Sequence, residues 1–193
     1  MEFRTLVETN RSYRRFDASK PIAEATLTEL VDLARHTPSA GNMQPLKYIL
    51  SHTPETNSQV FDAIGWAAYL PDWPGPGPEE RPTGYIIMLV DTEIGGSWAP
   101  TDAGIAVQTM LLAAVDKGLG GVMFGNIRKK KLRESLDIPE SLDIFLVLAL
   151  GTPVEKIVLK DVGADGSIKY YRDPDMTHHV PKRALADIVV SSK

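Results

Sequence analysis

Three arginines, Arg11, Arg14 and Arg15, fall close together near the start of the chain, with Ser12 between the first two. Guanidinium groups bind phosphate through paired parallel hydrogen bonds, and a hydroxyl adds another donor, so RSYRR has the chemistry of a phosphate clamp. Lys182 and Arg183 form a second basic pair near the other end. Read singly, each cluster is first of all a solvated charged face; together they suggest an anion site. A different chemistry is offered by HTPSAGNMQPLKY at 36–48, where an amphipathic run breaks into Pro38, Ser39, Ala40, Gly41 and Asn42, then Gln44 and Pro45. Its composition is that of a linker. Small residues also let a backbone come close to a flat polar ligand, with amide side chains ready to read the ligand's edge.

Other candidates are weaker. No GxxxxGK[ST] loop occurs, and GLGGVMFG lacks the G-x-G-x-x-G spacing of a dinucleotide fingerprint. His178 and His179 are adjacent on an extended segment, so they should point opposite ways, and no acidic cluster at ligand spacing accompanies them; no metal site is expected. Tyr69, Trp73 and Trp98 lie in or beside loops, available to line an aromatic pocket or to serve as core and interface residues. Asp102 opens a long helix, where a carboxylate suits either a functional role or the helix dipole.

The chain has 193 residues, 43% of them hydrophobic and 24% charged, which fits one globular domain spanning 1–193. A net charge of -4 gives no reason to expect nucleic acid or an anionic membrane as partner. Cysteine is absent, which excludes disulfides, thiolate nucleophiles and thiolate metal sites. Any redox chemistry must be borrowed from a cofactor. The charged N-terminus lacks the apolar region of a signal peptide, and no run approaches the ~18 apolar residues of a membrane span, so a cytoplasmic location is the default expectation.

The elements that must position these groups follow from periodicity. Phe3, Leu6 and Val7 predict a short helix over 2–9; Leu27, Leu30, Val31 and Ala34 predict a second over 26–36, with Thr26 and Glu29 as a capping box. Buried strands are expected at 46–51 and 85–91, a helix near 57–68, and a loop through the proline-rich YLPDWPGPGPEERP at 69–82. The helix at 101–118 is apolar over so much of its circumference that both flanks should be buried, in a domain centre or an interface. A short strand at 118–125, a charged helix at 128–137 and a nearly uninterrupted apolar strand at 143–153 complete an α/β or α+β sheet covered by helices. Beyond it, IVLKDV and SIKYY around GADG read as a small hairpin, and ADIVV as a terminal strand extending across a partner subunit.

RSYRRF, PSAGNMQP, DAGIAVQTMLLAAVDKGLGG and ALGTP, in that order and spanning nearly the whole chain, resemble the FMN-dependent nitroreductase family. The resemblance implies an α+β, three-layer α/β/α fold with a central mixed, mainly antiparallel sheet, a C-terminal segment reaching onto the partner, and a homodimer with FMN at the subunit interface. It assigns Arg11, Ser12 and Arg14 to the phosphate, ribityl chain and one edge of the flavin. Pro38, Ser39, Ala40, Asn42 and Gln44 of the neighbouring subunit would lie against the ring, Met123, Phe124 and Gly125 would run along it, and Lys182 with Arg183 would reach the phosphate. Asn10 stands where relatives often carry a further basic residue, and Leu46 where they often have an aromatic. On this reading the flavin N5 carries the chemistry, no side chain is an acid or nucleophile, and Arg14 is a fixed cation stabilising the reduced ring. The implied activity takes hydride from NADH or NADPH and passes it by a ping-pong route to a nitroaromatic, quinone or similar acceptor. Ene reduction, dehalogenation, flavin cleavage on the same scaffold, or a non-catalytic flavin binder are the alternatives.

Overall fold

The computed structural model describes residues 1–67, 69–70 and 72–193. Its centre is a four-stranded antiparallel sheet of order β1-β2-β4-β3, built from β1 (Leu46–Ser51), β2 (Gly84–Asp91), β3 (Gly120–Phe124) and β4 (Leu142–Gly151). Side chains along β2 alternate between two cores. Tyr85, Ile87 and Leu89 join Val147 and Ala149 of β4 on one face; Ile86 and Met88 join Leu148 and Leu150 on the other. A register shift between Met88 and Leu89 lets Ile144 rejoin the first face, although parity alone would assign it to the second.

Helices cover both faces. On one side lie α2 (Glu24–Arg35) and α4 (Ala99–Asp116), with Leu27, Leu30, Ala103, Ala106 and Met110 facing the sheet. On the other lie α3 (Pro54–Phe61) and α5 (Lys129–Ser135), contributing Val60 and Leu132. α4 ends in paired bonds from Gly118 N–H to the Val115 carbonyl and from Leu119 N–H to the Ala114 carbonyl, with Gly118 at φ 75°. That is the left-handed stop a glycine provides without strain. α1 (Phe3–Thr9) packs on the outer side of α4.

Several sequence expectations shift. The capping box at Thr26 and Glu29 does not form, because α2 begins two residues earlier, with Ala23 at the cap and Glu24 in the first turn. α3 starts at Pro54 rather than near 57, since Thr53 accepts a hydrogen bond from the Thr56 amide and Pro54 suits the first turn. It stops at Phe61 because the following segment is drawn into a bridge between Ile64 and Ile127; Ala68 lies outside the described residues. The proline-rich stretch is a loop closed by one 3-10 turn at Pro78–Glu80, Pro71 again lying outside the described residues. α4 buries one face only: Thr101, Gly104, Ile105 and Gln108 stay exposed, so its second flank is open in the single chain.

The C-terminal region departs most. β5 (Ile157–Asp161), β6 (Tyr171–Arg172) and β7 (His178–Lys182) form a separate sheet of order β5-β7-β6, in which β5 runs parallel to β7. The expected hairpin around GADG is absent because β5 takes β7 as its partner, while Tyr170 is drawn onto Tyr69 and His178. The expected terminal strand is instead one helical turn, α6 (Leu185–Ile188), followed by an extended end. An isolated strand has no backbone partner here, and the apolar Leu185, Ile188 and Val190 are all exposed.

Close packing at the end of β4 yields a stability test. A Cβ on Gly151 would lie 2.7 Å from the Phe16 ring, which is itself fully buried. Gly151→Ala should therefore destabilise the protein by about 1–3 kcal/mol through overpacking. The expected readout is a lower urea midpoint at unchanged m-value; an unshifted midpoint would contradict the packing described.

Candidate functional site

The open edge of β3 receives the segment that carries the arginines. Ser12 bridges Gly121 in parallel, Tyr13 N–H donates to the Gly121 carbonyl at 3.1 Å, and Val154 N–H donates to the Arg15 carbonyl at 3.1 Å. Gly120 allows this approach, since a Cβ there would meet the Tyr13 ring at 2.5 Å. Residues 11–16 are thus clamped to the sheet, and Arg11, Ser12 and Arg14 line one cavity of about 310 Å³. Its other walls include Met123 from β3, Gln108 and Leu111 from α4, and the row His178, Val180 and Lys182 on one face of β7. Alternation along that strand gives three residues at i, i+2 and i+4 to the cavity, while Arg183, just past its end, is exposed and outside the lining.

Arg14 is held from several sides. Its Nη1 donates to the Ser12 carbonyl at 3.1 Å and faces His178 Nε2 at 3.5 Å, while Cζ sits 4.7 Å from the centre of the Tyr170 ring. Its backbone amide donates to Glu155, whose other oxygen pairs with Arg172 at 3.3 Å. Burial lowers the pKa of both Arg11 and Arg14, and neither comes near losing its charge at neutral pH. Burial first, then Arg14 and Arg172, pull the His178 imidazole down to about 4. His178 is therefore neutral at physiological pH, and its Nε2 is the acceptor facing Arg14. Arg172 in turn lies over Trp73 at 4.3 Å, and Tyr69 packs on Tyr170 with centroids 5.0 Å apart.

The small-residue loop is built around Asp102. That carboxylate, 4% exposed, accepts from Ser39 Oγ at 2.6 Å and from the Ala40 amide at 3.1 Å, and Ser39 Oγ accepts from the Gln44 amide at 2.9 Å. Gly41, Asn42 and Gln44 all adopt left-handed conformations, with φ of 59°, 54° and 52°. Two consecutive left-handed residues with a third two positions on are uncommon, and two of the three are not glycine; such conformations persist where surrounding bonds over-determine them. Gln44 turns its amide inward to the Asn42 carbonyl at 3.1 Å rather than outward to a ligand. This loop borders a second cavity of about 250 Å³, lined by Pro38, Ser39, Gln44, Leu46 and Asp102, none of which belongs to the first.

The nitroreductase family model matches residues 7–152, which contain the clamp, the loop, α4 and the whole central sheet. The chain belongs to the nitroreductase family. Among relatives, a Methanothermobacter thermautotrophicus protein bearing the name NADH dehydrogenase/NAD(P)H nitroreductase is 28% identical over 185 residues, covering 92% of this chain and 86% of its own. A nitroreductase family protein from Streptococcus pneumoniae superposes over 100% of both chains with a TM-score of 0.70 at 17% identity. An FMN-dependent nitroreductase from Clostridium difficile gives 0.63 at 19% identity, over 78% of this chain and 87% of its own. At such identities the structural likeness is one of fold. Family membership makes the chain a member of a group of oxidoreductases and fits its α+β sheet architecture.

Within that nitroreductase frame the sequence-derived residues separate into three sets. Arg11, Ser12, Arg14, Met123 and Lys182 meet at the first cavity. Pro38, Ser39 and Gln44 meet at the second, with Ala40 and Asn42 on the same turn. Phe124 points into the core at 5% exposure, so only its backbone faces the groove shared with Met123 and Gly125, and Arg183 lies exposed outside the cavity lining. Asn10 lines the first cavity and donates to Gln108 at 3.3 Å. Tyr170, Glu155 and Arg172 were missed by sequence reading; they come from beyond the family match, and only proximity in the folded chain reveals them. His178 and His179 do face opposite ways, the latter bonding Asp173 at 2.8 Å. No helix among the described residues is long and apolar enough to cross a membrane.

Two outcomes follow from this geometry. Asp102→Ala removes a buried charged acceptor serving two donors and should cost about 1.5–3 kcal/mol. The Ala40 amide should then exchange with solvent at a rate well above that in the wild-type protein; retained protection would show that the loop holds itself. For His178, the folded-state pKa lies below the ~6.5 of an unfolded histidine, so the unfolded chain binds more protons between those values and stability falls as pH drops through that window. His178→Gln should lose less stability than wild type between pH 7 and 4.5 in urea titrations. Equal losses would contradict a neutral His178.

Proposed function

We propose that this chain is a homodimeric FMN-dependent oxidoreductase that takes hydride from NADH or NADPH and passes it to a small acceptor of the nitroaromatic or quinone class by a ping-pong route. The observation that carries the reading is the convergence of Arg11, Ser12, Arg14 and Lys182 with an exposed Met123 on one cavity. The donor set fits the cofactor: Arg11 Nε is buried without a partner, and a cavity with three cations suits a phosphoryl end. Arg11, Ser12 and Lys182 would hold the phosphate, and Arg14 the polar edge of the ring. Backbone from Met123 to Gly125 would run beside the ring. When bound, FMN supplies hydride acceptance and donation that no side chain of this cysteine-free protein offers. The protein's part is binding, orientation and the fixed positive charge of Arg14, whose solvation shell has already been replaced by Ser12, His178 and Tyr170.

The dimer reading rests on α4. Asp102 anchors the small-residue loop, Gln108 lines the cation cavity, and exposed Ile105 stands midway between them on the open flank. A two-fold axis passing near Ile105 with antiparallel helices would pair position 102 of one copy with 108 of the other. Each copy's loop, residues 38–44, would then close the other's cation cavity. The apolar, exposed stretch at 185–190 is material for the same contact.

The test is spectroscopic. Protein purified with excess FMN should be yellow, retain one flavin per chain after desalting, sediment as a dimer and bleach anaerobically with NADH or NADPH. Arg14→Ala should weaken FMN binding about tenfold or more and lower its midpoint potential by about 30 mV or more. Retained flavin that neither nicotinamide reduces would leave a binding protein rather than an enzyme. Failure to take up FMN would remove the proposal.

A further inference from the structure

A third cavity, of about 250 Å³, lies at the other end of β2 and shares no lining residue with the cofactor cavity or with the one beneath the small-residue loop. It opens between the segment after Phe16, the start of α3 and the chain entering β2. Much of its wall is flat and apolar, from Pro21, Pro54, Pro78, Pro82 and the Phe61 ring. The polar groups divide sharply. Asn57 is spent, donating to the Thr83 carbonyl at 2.9 Å and accepting from Ser51, and Thr83 donates to the Lys20 carbonyl at 2.9 Å. Arg81 and Tyr85 are not spent.

Tyr85 is 0% exposed, yet its hydroxyl has no hydrogen-bond partner among the described residues. A buried hydroxyl left unmatched is costly, which is why nearly all of them find one. Arg81 stacks its guanidinium 4.0 Å from the centre of the Phe61 ring, leaving a buried Nε without a partner. Its neighbouring carboxylate, Glu80, is already engaged by Nε and Nη2 of Arg15, at 2.7 and 2.5 Å, and His52, which also lines the cavity, faces Glu24 at 3.5 Å. Burial raises the Tyr85 pKa and the nearby Arg81 charge opposes that rise, so the phenol remains a neutral donor beside a cation.

We propose that this cavity is a second ligand site, binding a small monocarboxylate with a flat apolar body through the Arg81 guanidinium and the Tyr85 hydroxyl. One guanidinium matches one carboxylate in a planar fork, and the phenol, closed off from water in the unliganded chain, becomes a further donor as the guanidinium turns from the Phe61 ring to the anion. The proline and phenyl faces favour an apolar body over a hydrated one. A phosphate would bring nearly two charges to a single cation and have its remaining oxygens against apolar walls, so the carboxylate is the better match. The volume falls below the ~300 Å³ at which drug-sized pockets begin, which limits the ligand to a small metabolite. The site is independent of the cofactor reading, since none of its residues touches that cavity.

Sodium benzoate is the probe, titrated calorimetrically into the full chain with and without FMN. Benzamide, inorganic phosphate and sodium chloride at matched ionic strength are the comparisons. Benzoate should bind once per chain and raise the melting temperature in proportion to saturation, while benzamide and chloride should not. Arg81→Gln should weaken benzoate about tenfold or more, as expected for loss of a charge-assisted pair. Tyr85→Phe should weaken it about threefold or more while leaving the unliganded protein as stable as wild type or more so, because it removes an orphaned group. That pairing separates ligand recognition from a structural role. Benzoate binding unaffected by Arg81→Gln, an Arg81-dependent affinity for phosphate above that for benzoate, or no saturable binding at all would each overturn the proposal. Each result is read as the part of the binding lost with Arg81→Gln, so anions taken up by the cation cavity in FMN-free protein do not enter the comparison.

Discussion

β2 and β4 pair along the whole of β2 and are buried on both faces, and the layout of the fold follows from that. From Gly84↔Leu150 to Asp91↔Leu142, the ladder joins two of the most apolar stretches in the chain, and successive side chains enter opposite cores. Neither face can be left to water. Fully burying one Val, Leu, Ile or Met side chain is worth roughly 1.5–3 kcal/mol, and eight of these from the two strands alone lie below 2% exposure. Helices must therefore lie on both sides, α2 with α4 on one and α3 with α5 on the other, and binding surfaces are displaced to the edges and ends of the sheet. Antiparallel sheets often keep one wet face; this one does not.

An edge carries its own problem, because a strand with unpaired backbone groups invites another strand. β3 meets it with the chain's own N-terminal segment. Gly120 lacks the side chain that would hold Tyr13 away, and the bridge from Ser12 to Gly121 makes the basic segment part of the sheet's frame. Phe16, fully buried against Gly151, is the bolt. Three arginines on a free tail would be a solvated patch of little consequence. The same residues attached to a buried sheet have fixed positions relative to Met123, and that is what distinguishes a site from a surface.

How much of this was legible in the sequence varies with the range of the interaction responsible. β1, β2 and β4 announce themselves through apolar runs that local context cannot explain otherwise, and the breaks at Pro38 and across 74–82 follow from proline's missing donor. The capping box at Thr26 failed because the helix starts earlier, at Glu24 after Ala23, a choice made by where Leu27 and Leu30 meet the sheet. The start of α3 is legible in Thr53-Pro54, a cap followed by a first-turn proline, where apolar periodicity alone places it later. β5 was expected to pair with the next extended segment and pairs with β7, some twenty residues on; nothing in a local pattern encodes a parallel partner. The motif residues of the clamp and loop could be named, but Tyr170, Glu155 and Arg172 reach Arg14 only through that small C-terminal sheet, whose topology the sequence does not display.

The electrostatic balance around Arg14 explains why these late residues matter. Glu155, with a fully buried side chain, pairs with Arg172 and accepts from the Arg14 backbone, so one carboxylate serves the neighbourhood of two guanidinium groups. A burial penalty on any of them grows if the remaining charge is unmatched. His178 answers by staying neutral: a protonated imidazole 3.5 Å from Arg14 Nη1 would add a third cation to one carboxylate. The cluster still carries an excess of one positive charge. Arg11, with a buried and unpartnered Nε, and Lys182 extend that excess into the same cavity. Among the described residues, no acidic side chain lines the cavity to neutralise it. The fold thus holds a set of cations whose repulsion is tolerated rather than cancelled, and an anion entering there gains the interaction without any carboxylate having to be displaced first. On the proposed reading, affinity for a phosphorylated ligand would be a property of the folded chain's unmatched charge, stored in residues that two otherwise separate sheets bring together.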